Sequence, residues 1–324
     1  MLRRMAALLL VAASVRLLSA ADVLIDNDGD VDDLIAVSLL LRSPSVRVRG
    51  IGICPGDSYL EPATRATQLF LERLGARGIP IAQGHSAGLN PFPAQWRSDA
   101  ARVLGVPQLA SVSTKSNPVV SDDAPHFLAK ALAGGGEYTI LETGPLTNVA
   151  DALRLDPSIK KHISRIFVMG GAVRVRGNVK QKGFDGSAEW NFFNQPQAAA
   201  DVIRSGIPIT LVSLDATNRT PLTRAFLNRL ERQPSAASQL AAQSWRLVVG
   251  QMGNEPYYFW DTLTAATLLD SSVVRTERVR LRVVTAGASQ GRSVEDPGGG
   301  APVDVAVDAN RERVEQMFLT LLGK

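Results

Sequence analysis

Cysteine is almost absent: Cys54 stands alone in 324 residues, so no disulfide can form within the chain and the redox compartment cannot be inferred from pairing. Histidine is nearly as scarce, with only His85, His126 and His162 available for imidazole chemistry. No uninterrupted apolar run reaches the ~20 residues that a bilayer-spanning helix needs, which argues against a transmembrane anchor. No internal repeat and no low-complexity linker divides the chain, so one large domain is expected rather than two. Nor does one sign of charge dominate: 35 basic residues face 31 acidic ones, and the basic residues are scattered. That distribution argues against a nucleic-acid or membrane-surface partner. What remains, 45% apolar and 20% charged residues, is the composition of a globular protein with a sizeable core.

The N-terminus carries one processing signal. Arg3 and Arg4 precede the apolar run Met5 to Ser14, and the small residues Ser19, Ala20 and Ala21 follow, the layout of a secretory signal peptide, although Arg16 interrupts it. Residues 1–21 are therefore expected to be a signal peptide and 22–324 the mature, exported domain.

Beyond it the pattern alternates strand and helix. Val23 to Ile25, Val46 to Cys54, Tyr138 to Glu142, Arg165 to Met169, Pro208 to Leu214 and Val279 to Val284 read as strands. Leu34 to Leu41, Pro62 to Leu74, Pro125 to Ala133, Leu146 to Leu155 and Pro196 to Arg204 read as helices, the third with Ser121-Asp122 as its cap. Pro297 to Pro302 reads as a turn before a closing strand and helix, Val303 to Leu322. Such alternation predicts an α/β fold: one largely parallel, open, Rossmann-like sheet flanked by helices, with its ligand site beyond the carboxyl ends of the strands.

The chemistry concentrates after the first strand, where Asp26, Asp28, Asp30, Asp32 and Asp33 place five carboxylates within eight residues. Crowded carboxylates repel one another unless a cation neutralises them, and all-oxygen ligands select a hard ion, Ca²⁺ or Mg²⁺. A solvated acidic turn capping the next helix is the plainer alternative. An EF-hand is excluded because Val31 stands where its glycine belongs and Val37 where its bidentate glutamate belongs. A phosphatase with an Asp-x-Asp nucleophile after its first strand fits this loop taken alone.

Here the sequence resembles the inosine-uridine-preferring nucleoside hydrolase superfamily, whose opening motif is Asp-x-Asp-Pro-Gly-x-Asp-Asp. Gly29-Asp30 replaces Pro-Gly, as in the inosine-adenosine-guanosine-preferring, purine-specific branch. Other segments agree in order from about Val23 to the end: Thr143 to Ala150 (TGPLTNVA), Met169 to Val173 (MGGAV), Arg176 to Val179 (RGNV), Ala188 to Asn191 (AEWN), Ser213 to Asn218 (SLDATN) and Trp260 to Ala266 (WDTLTAA). Asn90 to Arg97 (NPFPAQWR) looks like the purine branch.

The resemblance implies Ca²⁺ held by Asp28, Asp33, the Thr143 carbonyl and Asp261, with Asp28 taking the proton of a water that attacks C1′ of the ribose. A shell of carboxylates, a carbonyl and water is what Ca²⁺ prefers, and nearby carboxylates would stabilise an oxocarbenium-like transition state. It further implies that Asp32, Asn191 and Asp261 hold the 2′- and 3′-hydroxyls, that Asn178 and Glu189 reach the 5′-hydroxyl, and that Met169 packs under the ribose. Read without the family, Asn178 is as readily a turn residue after Gly177, and Met169 a core residue.

Specificity rests on the leaving base. Where the pyrimidine-tolerant branch has a histidine before the last metal-binding aspartate, this chain has Trp260, and none of its three histidines lies in the matched motifs. Trp96 and Trp260 would sandwich a purine, with Asp57, after a one-residue gap, at N7; Trp190 and Trp245 are the core candidates. The implied activity is calcium-dependent hydrolysis of purine ribonucleosides to ribose and free base by a homodimer. A broader purine and pyrimidine hydrolase and a non-catalytic exported nucleoside-binding protein are the alternatives. The phosphatase explains neither the Trp260-Asp261 pair nor the Glu189 to Asn191 segment.

Overall fold

The computed structural model describes residues 20–249 and 256–324. The expected signal peptide therefore lies, up to residue 19, outside the described residues; the alanine at position 21 already opens the first strand. In chain order the strands are β1 (Ala21–Asn27), β2 (Val46–Ile53), β3 (Ile81–Gln83), β4 (Val119–Asp123), β5 (Tyr138–Glu142), β6 (Ile163–Met169), β7 (Ile209–Val212), β8 (Val274–Val283), β9 (Ser293–Glu295) and β10 (Ala301–Ala309). They form one ten-stranded sheet in the order β4-β3-β2-β1-β5-β6-β7-β10-β8-β9. Only β8 runs against its neighbours, pairing antiparallel with β10 and β9. The single-domain, largely parallel α/β architecture expected from the alternating pattern is thus the one observed.

The apolar run at the start of β1 shows why this sheet is covered on both faces. Val23, Leu24 and Ile25 are all fully buried, yet Val23 and Ile25 join the core on one face while Leu24 joins the core on the other. Successive side chains alternate across a strand, so a strand buried on both faces has no polar position to spare. Cutting Leu24 back to alanine would cost about 2–5 kcal/mol for the cavity and lost transfer energy. Helices Val31–Leu41, Leu60–Arg73, Ala236–Val249, Asp261–Leu269 and Arg311–Leu322 cover the Val23 face, and Ala124–Ala133, Thr147–Leu155 and Pro196–Ile203 the Leu24 face.

Two boundaries differ from expectation for local reasons. The helix after β1 begins at Val31, not Leu34, so Asp32 and Asp33 stand in its first turn, where the helix dipole favours carboxylates. The helix Ala124–Ala133 is capped by Asp123, whose side chain accepts from the His126 backbone N–H at 3.0 Å, rather than by Ser121-Asp122. Those two residues are drawn into the extended backbone of β4. Going outward from β1, the chain lays down β2, β3 and β4 on one side and β5 onward on the other. This reversal of strand order leaves a crevice at the carboxyl ends of β1 and β5, the position where open α/β sheets bind ligands.

Candidate active site

The acidic loop leaves β1 into that crevice. Gly29 has φ 73°, and a Cβ there would lie 2.3 Å from the Cβ of Ala63, so the turn needs glycine twice over. This is the position at which the superfamily motif has proline. Asp28 Oδ2 accepts from the Asp57 backbone N–H at 2.7 Å, and Gly56 presses so close that a Cβ would sit 2.1 Å from that oxygen. Asp33 accepts from the Asp30 backbone N–H (2.9 Å) with one oxygen and from the Thr143 hydroxyl (2.5 Å) with the other. The Thr143 backbone N–H in turn donates to the Asp26 carbonyl at 2.9 Å, lashing the end of β5 to that of β1.

Asp261 opens the helix Asp261–Leu269, and Asp32 holds that helix in place. Its Oδ2 accepts from the Asp261 N–H (2.7 Å), while its Oδ1 accepts from the Thr262 hydroxyl (3.1 Å) and the Trp245 indole N–H (3.3 Å). The fully buried Trp245 is therefore a core residue, as its assignment to the core anticipates, and also a donor to the acidic site. Tyr257, which no sequence motif singled out, donates its buried hydroxyl to Asp30 Oδ2 at 3.2 Å.

The residues assigned to the ribose side meet at the end of β6. Asn191 donates to the Thr143 carbonyl (3.0 Å) and the Met169 carbonyl (3.3 Å). Glu189 caps the short helix Trp190–Asn194, accepting from Asn191 N–H at 3.0 Å, and also accepts from Gly171 N–H at 2.9 Å. Asn178, half-buried, accepts from the Trp190 N–H at 3.2 Å. Met169 packs in a small apolar cluster with Ala172 and Leu214, against which Trp260 lies.

The two tryptophans assigned to the base occupy different settings. Trp260 is half-buried and meets Tyr257 edge-on, with ring centroids 4.6 Å apart. Trp96 is 38% exposed and meets the buried Trp190 edge-on at 5.3 Å. Among the described residues they make no ring contact with each other. Asp57 is half-buried, tied to Asp28 through its backbone. The histidines lie elsewhere: His85 and His126 beside Asp123, and His162 against the Gly136 carbonyl.

Burial, with repulsion between neighbours, pushes the carboxyls of Asp33, Asp57 and Asp261 well above the usual range. Burial likewise raises Asp28, and brings Asp30 to about 8, Asp32 to about 6 and Glu189 to about 7. Asp28 and Asp33 lie close enough for each carboxyl to act on the other. Among the described residues no three carboxyl, imidazole or thiol groups are drawn together to ligand distance. The donor chemistry nonetheless fits a hard divalent cation, because the buried set is all oxygen and its members repel one another.

An open parallel sheet whose switch point gathers buried carboxylates, amides and a half-buried indole belongs to the α/β enzymes that work on small polar substrates at their strand ends. The chain belongs to the inosine-uridine preferring nucleoside hydrolase family, whose profile matches residues 23–316. A solved inosine-uridine preferring nucleoside hydrolase from Bacillus anthracis superposes with a TM-score of 0.87 at 36% identity, over 94% of this chain and 99% of that one. The non-specific ribonucleoside hydrolase RihC of Escherichia fergusonii is 30% identical, over 93% of this chain and 98% of its own length. Uridine nucleosidase 1 of Arabidopsis thaliana is 28% identical over 93% of each. A purine-preferring ribonucleoside hydrolase from Gardnerella vaginalis superposes with a TM-score of 0.77 at 26% identity, over 93% of this chain and 98% of that one. No described helix is long and apolar enough to cross a membrane.

Proposed function

We propose that this nucleoside hydrolase cleaves purine ribonucleosides with the help of Ca²⁺. The observation that carries the purine preference is Trp260, half-buried between Tyr257 and the Met169 cluster and directly preceding Asp261, while the three histidines are engaged by Asp123 and the Gly136 carbonyl. Asp28, Asp33, Asp261 and the Thr143 carbonyl would hold the ion. When bound, it supplies neutralising charge and Lewis acidity at the attacking water. Asp28 takes the proton of that water, held in place by the Asp57 backbone N–H. Asp32, Asn191 and Asp261 orient the 2′- and 3′-hydroxyls, and Asn178 and Glu189 the 5′-hydroxyl. Trp96 and Trp260 stack on the base, and indole faces give a flat ring apolar contact on both sides.

Broader specificity is the second reading, favoured by the names of two relatives, a non-specific ribonucleoside hydrolase and a uridine nucleosidase. Product analysis with inosine, adenosine, guanosine, cytidine and uridine, with and without a chelator, separates the two. Purine release that far outpaces pyrimidine release and stops on chelation is expected. Uridine turned over as fast as inosine would overturn the purine preference; intact inosine bound without cleavage would overturn the enzyme reading. A homodimer and export after cleavage near Ala20 or Ala21 complete the proposal. Light scattering and N-terminal sequencing of the secreted protein test them.

A further inference from the structure

We infer that Arg97 is a catalytic residue that stabilises the departing nucleobase by hydrogen bonding and positive charge, in place of an acid. The inference rests on the nucleoside hydrolase reading above. It starts from a gap in the site: cleavage leaves an electron pair on the base nitrogen, and the three histidines are engaged by Asp123 and the Gly136 carbonyl rather than by any of the crowded acids after β1. The indole rings of Trp96 and Trp260 offer faces but little positive charge of their own.

Arg97 follows Trp96 directly and is the cation whose charge reaches both Asp28 and Asp57. Its guanidinium lies over the ring of Tyr59, 4.4 Å from the centroid, and its carbonyl accepts the Tyr59 N–H at 3.1 Å. The segment carrying Asp57 and the segment carrying Trp96 are thereby pinned together. Yet the Arg97 Nε–H is buried with no acceptor, and among the described residues the side chain makes no hydrogen bond and no ion pair. A stacked guanidinium with unused donors beside unpaired carboxylates is an arrangement that ordinary structural arginines avoid, since a buried donor left unsatisfied is costly. The Nη–H groups, which are not sealed off as Nε–H is, are free to donate to the ring edge of a leaving base: N7 or O6 of a purine, O2 of a pyrimidine.

The balance is simple. The C1′–N bond breaks with both electrons going to the base, water supplies the new C1′–O bond, and its proton passes to Asp28. Arg97 keeps all its protons, because guanidinium does not titrate in this range, and the base takes its proton from solvent after departure. Arg97 thus acts as a fixed charge aimed where negative charge develops.

The test compares Arg97→Ala and Arg97→Lys with the wild type on inosine, uridine and p-nitrophenyl riboside, whose leaving group needs little help, all in saturating Ca²⁺. Loss of about 100-fold in kcat on whichever nucleosides the wild type cleaves, with less than about threefold on the riboside, is expected for loss of one charge-stabilising donor. Lysine should recover part of the loss, as should added guanidinium ion with the alanine variant. Equal losses on riboside and nucleosides, or no loss on nucleosides, would overturn the role of Arg97 while leaving the hydrolase reading intact. A wild type that cleaves the riboside but none of the nucleosides would sink both. If Arg97→Ala fails to fold, Arg97→Gln is read against the same substrates, its riboside activity reporting the integrity of the site.

Discussion

Carboxylates occur in two settings in this molecule, and the contrast separates chemistry from solubility. On the outer face of the β8–β10 edge every acid has an arginine. Arg174 bridges Glu277 and Glu295 at 2.6 Å each, and Asp304 lies between Arg165 and Arg278 at 2.9 and 3.0 Å. Hydrogen bonds from Arg174 and Arg275 hold Glu277 below its ordinary value. At the switch point the acids are buried, Arg97 reaches Asp28 and Asp57 without pairing with either, and the values of Asp28, Asp33, Asp57 and Asp261 all rise. A fold keeps unbalanced buried charge only where something other than stability requires it.

The strongest way to break that contrast is to remove the base itself. Asp28→Ala should lower kcat on nucleosides by about 10³-fold or more, the scale of a positioned general base, and saturating Ca²⁺ should not restore it. Near-normal turnover in excess metal would move the base elsewhere. Asp33→Ala should act on metal first, raising the Ca²⁺ concentration needed for half-maximal rate, and chelation of the wild type should abolish turnover. An unchanged calcium requirement in Asp33→Ala would exclude it from the ligand set.

Asp32 tests whether the site and the fold share a residue. Its carboxylate holds the Asp261 N–H, the Thr262 hydroxyl and the Trp245 indole, so Asp32→Ala leaves those donors stranded in the core. A destabilisation of about 2–4 kcal/mol is expected in denaturant unfolding, since each stranded donor costs about 1–3 kcal/mol and relief of carboxylate repulsion offsets part of it. Asp32→Asn, which keeps an acceptor oxygen, should lose less stability but still raise KM. A stable Asp32→Ala protein would mean that Asp261 and its helix are held by packing alone.

The fold was legible because β1, β5 and β6 are short apolar runs flanked by polar turns, and such runs announce buried parallel strands. The three-residue strands β3 and β9 were not legible: they are set by pairing with neighbours rather than by any run of their own. Nor was the helix Ala236–Val249 singled out, because its buried face is built largely of alanine and serine rather than large apolar residues, yet it delivers Trp245 to Asp32. Within the site, Asp28, Asp33 and Asp261 could be named from chemistry and motif. Tyr257 and Arg97 could not, because their meaning lies in contacts across the fold, to Asp30 and Tyr59, that no spacing encodes.

Trp260 gives a smaller effect confined to the base. Trp260→Ala removes a stacking surface worth about 1–3 kcal/mol, which predicts a loss of about 5- to 150-fold in kcat/KM for inosine. If the ring also favours protonation of the base, kcat itself should fall, and fall further for inosine than for p-nitrophenyl riboside. Equal losses on both substrates would reduce Trp260 to a wall of the pocket.

The smallest effect is expected at the paired edge, and it tests the other half of the contrast. Arg174 holds two glutamates with short bonds, which on geometry alone suggests a strong tie, yet its side chain is 44% exposed and those of Glu277 and Glu295 are 38% and 37% exposed. Water and salt screen such pairs, so exposed ion pairs contribute about 0–1 kcal/mol each. The Arg174 backbone N–H, which donates to Asp215 at 2.9 Å, survives truncation of the side chain and keeps the loop after β6 anchored. Arg174→Ala should therefore lower stability by no more than about 1 kcal/mol, with most of that difference vanishing in molar salt, and leave kcat and KM on inosine unchanged. A tenfold fall in kcat would show that the loop after β6 transmits this edge to Met169 and Asn191. The paired carboxylates would then belong to the chemistry after all.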